Sequence, residues 1–132
     1  MSALAARVIV ATLREGRAAR WVVRGGSMWP AVPDGSEVEV TPCDPMTLRA
    51  GEVAAFARGD ALIVHRVIAR GDGALRFRGD SLARDDGWVP AGDVLGRARV
   101  IARGPLRLSR PRRAKLRGAL RFALEWWRAK GH

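Results

Sequence analysis

Cys43 is the only cysteine in 132 residues, so the chain can form neither an intrachain disulfide nor a cysteine cluster around a metal. A lone thiol of this kind most often serves as a small buried hydrophobe. Lysine is almost as scarce: 22 of the 24 basic residues are Arg, and Lys115 and Lys130 both lie in the last 27 residues. There are two histidines, His65 and the terminal His132. No apolar run approaches the ~18 residues needed to cross a bilayer. The stretch Val8 to Leu13, interrupted by Thr12 and flanked by Arg7 and Arg14, is short for a secretory signal, and no cleavage site of Ala-x-Ala type follows it at the right distance. These absences predict a cytoplasmic protein without a transmembrane helix, and they call for no metal and no cofactor.

What is present is positive charge, unevenly placed. The net charge is +11, and residues 106–132 hold nine Lys/Arg against the single acid Glu125. The length allows one domain with its own core. After Gly104-Pro105, a 100° period puts Leu116, Ala119, Leu120, Ala123, Leu124 and Trp127 on one helical face and Arg117, Arg121, Glu125 and Arg128 on the other. Residues 105–132 therefore read as a basic amphipathic C-terminal helix. Residues 110–130 suit peripheral contact with a membrane surface, with Trp126 and Trp127 at the interface; the alternative is a helix packed on the rest of the domain. Nothing in the chain resembles a nucleic-acid module, and basic charge alone gives only salt-sensitive, non-specific binding.

The first 20 residues form the lead-in. Residues 2–15 lack Gly and Pro and favour a helix, which Gly16 ends. Residues 21–104 then change texture to short β-type runs: Trp21 to Val23, Ser36 to Thr41, Glu52 to Ala57, Ala61 to Ala69, Leu75 to Arg78 and Val94 to Ala102. Gly59-Asp60 and Gly71-Asp72-Gly73 read as hairpin turns. Five or six strands at this spacing predict a mainly β fold, a barrel or a pair of curled sheets.

Three places could carry chemistry. His65 lies inside a strand, on the face shared with Ile63 and Val67; taken alone, such a histidine is more often a hydrogen-bonded core residue than a catalyst. Gly25-Gly26-Ser27-Met28-Trp29-Pro30 puts a serine after two glycines just beyond a strand. Such a turn lets backbone approach a substrate and aims N–H groups at a developing oxyanion, although most Gly-Ser strings are plain turns. No Gly-Lys-Ser/Thr follows, which excludes a phosphate-binding P-loop. The third place is Gly79-Asp80 with Asp85-Asp86 beyond it; acids near a strand end can orient a histidine.

In order and spacing, Gly-Ser-Met-x-Pro, then Val64-His65-Arg66-Val67, then Gly79-Asp80 and the acid pair resemble the type I signal peptidase family, in its Ser/His branch. Pro33-Asp34-Gly35-Ser36, Gly51-Glu52-Val53 and Val94-Leu95-Gly96-Arg97 extend the similarity over residues 21–102. The resemblance implies coiled β-sheets or a distorted barrel like those of signal peptidases and SOS repressors. It implies Ser27 as nucleophile, His65 as general base, Asp86 as the acid completing a triad, and Asp80 as a supporting site residue, with Asp85 the alternative to Asp86. Gly25, Gly26 and Met28 fall where an oxyanion hole or a substrate edge is expected. Relatives that use a lysine base have no counterpart here unless Lys115 or Lys130 folds back from the tail.

The activity implied is serine endopeptidase cleavage of precursor or leader peptides. Two departures keep other readings open. Gly25 stands where many relatives have a serine hydroxyl, and one lost oxyanion donor can cost ~10²-fold or more in rate; the loop after Gly79-Asp80 also lacks the usual Asn. A catalytically inactive peptide-binding module and a basic nucleic-acid-associated protein are the alternatives.

Overall fold

The computed structural model describes residues 1–105, and the predicted basic C-terminal helix lies outside them. Helix α1, Ala3–Arg14, starts where the Ser2 hydroxyl accepts a hydrogen bond from the Ala5 N–H at 3.1 Å. It ends at Gly16, whose φ of +84° continues the chain through a conformation that L side chains rarely adopt. Leu13 is buried and Ile9 and Val10 pack beside it, which docks α1 on one face of the sheet.

That sheet has seven antiparallel strands: β1 (Ala19–Val22), β2 (Glu37–Thr41), β3 (Val53–Arg58), β4 (Ala61–Gly71), β5 (Ala74–Arg78), β6 (Gly87–Pro90) and β7 (Val94–Ala102). Their spatial order is β1-β2-β7-β3-β4-β5-β6, so the last strand returns between β2 and β3. The sheet is a curled half-barrel with apolar groups packed on both faces. Alternation along β3 sorts Ala54 and Phe56 into one cluster with Val67, Leu75, Phe77 and Leu48, and Ala55 into the other with Leu13, Val40 and Val64. Cys43 is half-buried against the first cluster. Both expected hairpins are present, turning at Gly59-Asp60 and at Asp72-Gly73.

Strand β6 is the element that the sequence reading missed. It follows Asp85-Asp86 and itself begins with Gly87 and ends with Pro90, all turn signals; on an edge strand, however, Pro is tolerated because the N–H it lacks would face away from the sheet. The first strand begins two residues earlier than expected, at Ala19, because Arg20 is accommodated by a cross-strand ion pair with Glu39 (2.8 Å).

Two features of the pairing matter for the site. Among the described residues, β5 pairs with β4 from Arg66 to Gly71, so Ala61 to His65 are bonded to β3 alone. At the far side, β1 is, among the described residues, an edge strand bonded only to β2. Both unpaired edges border a single cleft of about 360 Å³, lined by Trp21, Val22 and Val23 on one side and by Leu62, Ile63 and Val64 on the other. No helix of the described residues is long and apolar enough to cross a membrane.

Candidate active site

Ser27 and His65 meet at one end of this cleft. His65 projects from β4 beside Ala54 of β3, its ring edge-on to the fully buried Phe56 (centroids 6.3 Å apart, planes at 70°). Its Nε2 lies 3.2 Å from Ser27 Oγ and its Nδ1 lies 2.6 Å from Asp86 Oδ2. A charge-assisted contact that short holds the ring with Nδ1–H donating to the carboxylate, which leaves the Nε2 lone pair facing the serine hydroxyl. The histidine side chain is 8 % exposed and the aspartate 13 %. Both are largely removed from water, and both are hydrogen-bonded.

Asp86 is fixed by its backbone. Its N–H donates to the Phe77 carbonyl at 2.7 Å, and its own carbonyl accepts from Arg58 Nη2 at 2.7 Å. The carboxylate that the sequence could not choose among three is thereby the one seated on His65. Asp85 faces elsewhere: it is paired with Arg76 (2.8 Å) and accepts from the Gly87 N–H, and these two partners hold its carboxyl below the usual carboxylate range.

Asp80 also has another partner. Both of its oxygens accept from Arg66, at 2.7 Å from Nε and 2.6 Å from Nη2, while Arg66 Nη1 donates to the Gly51 carbonyl at 2.7 Å. The bidentate Asp80 pairing also raises the Arg66 pKa above its ordinary value. Asp80 thus ties the loop after β5 to β4, next to His65 but not on it.

That loop lies against the nucleophile turn. The Asp80 N–H donates to Met28 Sδ at 3.4 Å, the Ser81 N–H donates to the Ser27 carbonyl at 3.0 Å, and the Ser81 hydroxyl donates to the Gly26 carbonyl. Ser81 was not singled out from the sequence; its only signal was its place directly after Gly79-Asp80. Gly79 is required by contact: a Cβ there would lie 2.8 Å from the Ser27 carbonyl oxygen and 3.0 Å from His65 Nε2.

Gly25, Gly26 and Met28 divide differently from expectation. Gly25 has φ +94° and gives its N–H to Asp34 Oδ1 at 2.9 Å, so it is not a free donor for an oxyanion. Among the described residues the N–H groups of Gly26, Ser27 and Met28 carry no hydrogen bond. The Met28 side chain is buried under the turn. Among the described residues no group of three or more His, Cys, Asp or Glu is placed to hold a metal ion. No protein-family model matches this sequence, and no curated protein matches it either.

Proposed function

We propose that the protein is a serine endopeptidase, resembling the Ser/His branch of signal peptidase I, that cleaves precursor or leader peptides. The observation that carries this reading is the unbroken Ser27–His65–Asp86 relay, whose serine and histidine line the cleft. A buried core histidine needs no serine and no carboxylate on its two nitrogens. Here both are supplied from different parts of the chain.

The chemistry is acyl transfer. His65 Nε2 takes the Ser27 Oγ proton as Oγ attacks the scissile carbonyl, and Asp86 stabilises the imidazolium. The carbonyl oxygen, now anionic, is met by free backbone N–H groups at Ser27 and Met28. Collapse breaks the C–N bond, with the His65 proton passing to the leaving amine. Water, deprotonated by the same imidazole, then releases the acyl group and restores the serine. The 3.2 Å serine–histidine separation is at the long end of hydrogen-bond reach, as expected before a substrate tightens the site.

The cleft suits an extended peptide. β1 and the first half of β4 offer backbone groups that are unpaired among the described residues on its two sides, so a bound strand can pair with either edge while alternate side chains enter the lining between Trp21 and Leu62. The peptide-binding alternative is favoured by one feature, the missing hydroxyl at Gly25.

The test is incubation with a proteome-derived peptide library, followed by identification of new termini by mass spectrometry. Wild-type protein is expected to generate a consistent set of termini, and Ser27→Ala and His65→Ala none. Equal retention of library peptides by wild type and Ser27→Ala, with no new termini, would establish a binding module instead. A second expectation concerns Gly79→Ala. The added methyl drives against both the Ser27 backbone and the imidazole, and displacement of a reacting group by an ångström costs ~10²-fold. Cleavage of the best library peptide should fall by that order; an unchanged rate would mean that the loop does not support the site.

A further inference from the structure

We infer that Ser81 is a positioning residue, one that aims the oxyanion donors by holding both carbonyl groups next to the nucleophile. The inference rests on the peptidase reading of this site and assigns a part that the relay itself does not supply. Ser81 is 5 % exposed and makes two bonds to the nucleophile turn: its hydroxyl to the Gly26 carbonyl and its N–H to the Ser27 carbonyl. These carbonyls belong to the peptide units on either side of the Ser27 Cα. Both units are trans, the one cis bond in the described residues being Trp29–Pro30. In a trans unit the C=O and the following N–H point in opposite directions. Drawing the Gly26 oxygen toward Ser81 therefore turns the Ser27 N–H away from Ser81, and drawing in the Ser27 oxygen does the same for the Met28 N–H.

Those two N–H groups carry no hydrogen bond among the described residues. The Gly26 carbonyl also accepts from the Trp29 N–H at 3.1 Å, so Ser81 and this turn bond together set the direction of the Ser27 N–H, while the Ser81 N–H sets that of the Met28 N–H. It is itself anchored. Asp80, the preceding residue, is locked bidentately to Arg66 on β4, the same strand that carries His65 one residue earlier. Nucleophile turn, donor direction and base thus share one rigid reference. Rigidity matters more here because Gly25 has no hydroxyl to help, and the backbone donors must take the whole developing charge.

The test compares Ser81→Ala with Ser81→Thr, which keeps a hydroxyl, in the full chain. Two readouts are needed: kcat and KM for a peptide cleaved from the library, and the NMR chemical shift of the Ser27 amide, which needs no turnover. Ser81→Ala should lower kcat by ~10²-fold, the scale of a lost oxyanion donor, with KM and Tm close to wild type. Ser81→Thr should recover most of that loss, and the Ser27 amide resonance, whose peptide unit the hydroxyl holds, should move in the alanine variant only. An unchanged kcat with an unmoved Ser27 amide resonance would overturn the inference, as would a threonine variant damaged as badly as the alanine one. A wild-type protein with no Ser27-dependent cleavage, but with a Ser27 amide resonance still moved by Ser81→Ala, would support the clamp and remove the peptidase reading.

Discussion

Asp86→Asn should lower kcat/KM for a cleaved peptide by ~10⁴-fold, the loss that follows when the acid of a Ser-His-Asp triad is replaced by its amide. The physical reason is tautomer control rather than shape. The Asp86 carboxylate only accepts, so at 2.6 Å it requires a proton on His65 Nδ1 and leaves Nε2 free to take one from Ser27. An amide can present its NH₂ to Nδ1 instead, which moves the ring proton to Nε2 and presents a donor to the serine where a base is needed. The fold should survive, because the Asp86 backbone bonds to Phe77 and Arg58 remain and the side chain keeps its volume. Measured against Asp85→Asn, which removes a carboxylate paired with Arg76 at a distance from the imidazole, the contrast is direct. A loss of less than about tenfold for Asp86→Asn would show that this carboxylate does not govern the imidazole.

Much of the body was legible because strands announce themselves by alternation. Val38 and Val40 beside Glu37 and Glu39 in β2, and Ala54 and Phe56 against Ala55 in β3, fall on the faces that a period of two assigns them. Gly59-Asp60 and Asp72-Gly73 supply backbone that turns without steric cost, so the hairpins could be placed from local chemistry alone. β6 escaped detection since its pairing is decided across the sheet, by Trp88 lying opposite Arg76 and Val89 opposite Leu75, and not by its own composition. The position of β7 between β2 and β3 is similarly a matter of long-range pairing that no local window contains.

For the site, the sequence supplied residue types and left the partners undecided. Three aspartates within seven positions are chemically equivalent on paper. What separates them is which cation each can reach: Arg66 stands opposite Arg78 in the register of β4 and β5 and takes Asp80, while Arg76, across from Trp88, takes Asp85. Asp86 is left to the histidine. Ser81 escaped notice for a related reason. A serine in a loop carries no pattern, and its importance comes from the two carbonyls brought to it across more than fifty residues of chain.

The other large effect expected is on folding. Asp80→Ala should destabilise the protein by about 3 kcal/mol, because it leaves the Arg66 guanidinium largely buried beside a missing counter-ion. For a body of this size the fall in Tm is roughly 15 °C. Arg66 keeps its bond to the Gly51 carbonyl and is 20 % exposed, so part of its charge can still find water, which places the cost at the lower end of what breaking a buried pair entails. Removing both partners, as Asp80→Ala with Arg66→Met, should recover much of the loss, since an apolar pair leaves no charge stranded. Asp80→Asn keeps an acceptor for one Arg66 nitrogen and should melt between the two. Thermal unfolding of these proteins together with Arg66→Met closes the cycle that measures the coupling; an Asp80→Ala variant that melts with wild type would mean the pair carries no stability. Kinetics on the folded Asp80→Asn protein then separate this aspartate from its neighbour. If Asp80 acts only by anchoring the loop to β4, its amide variant loses far less turnover than Asp86→Asn does, although the two aspartates are six residues apart in the chain.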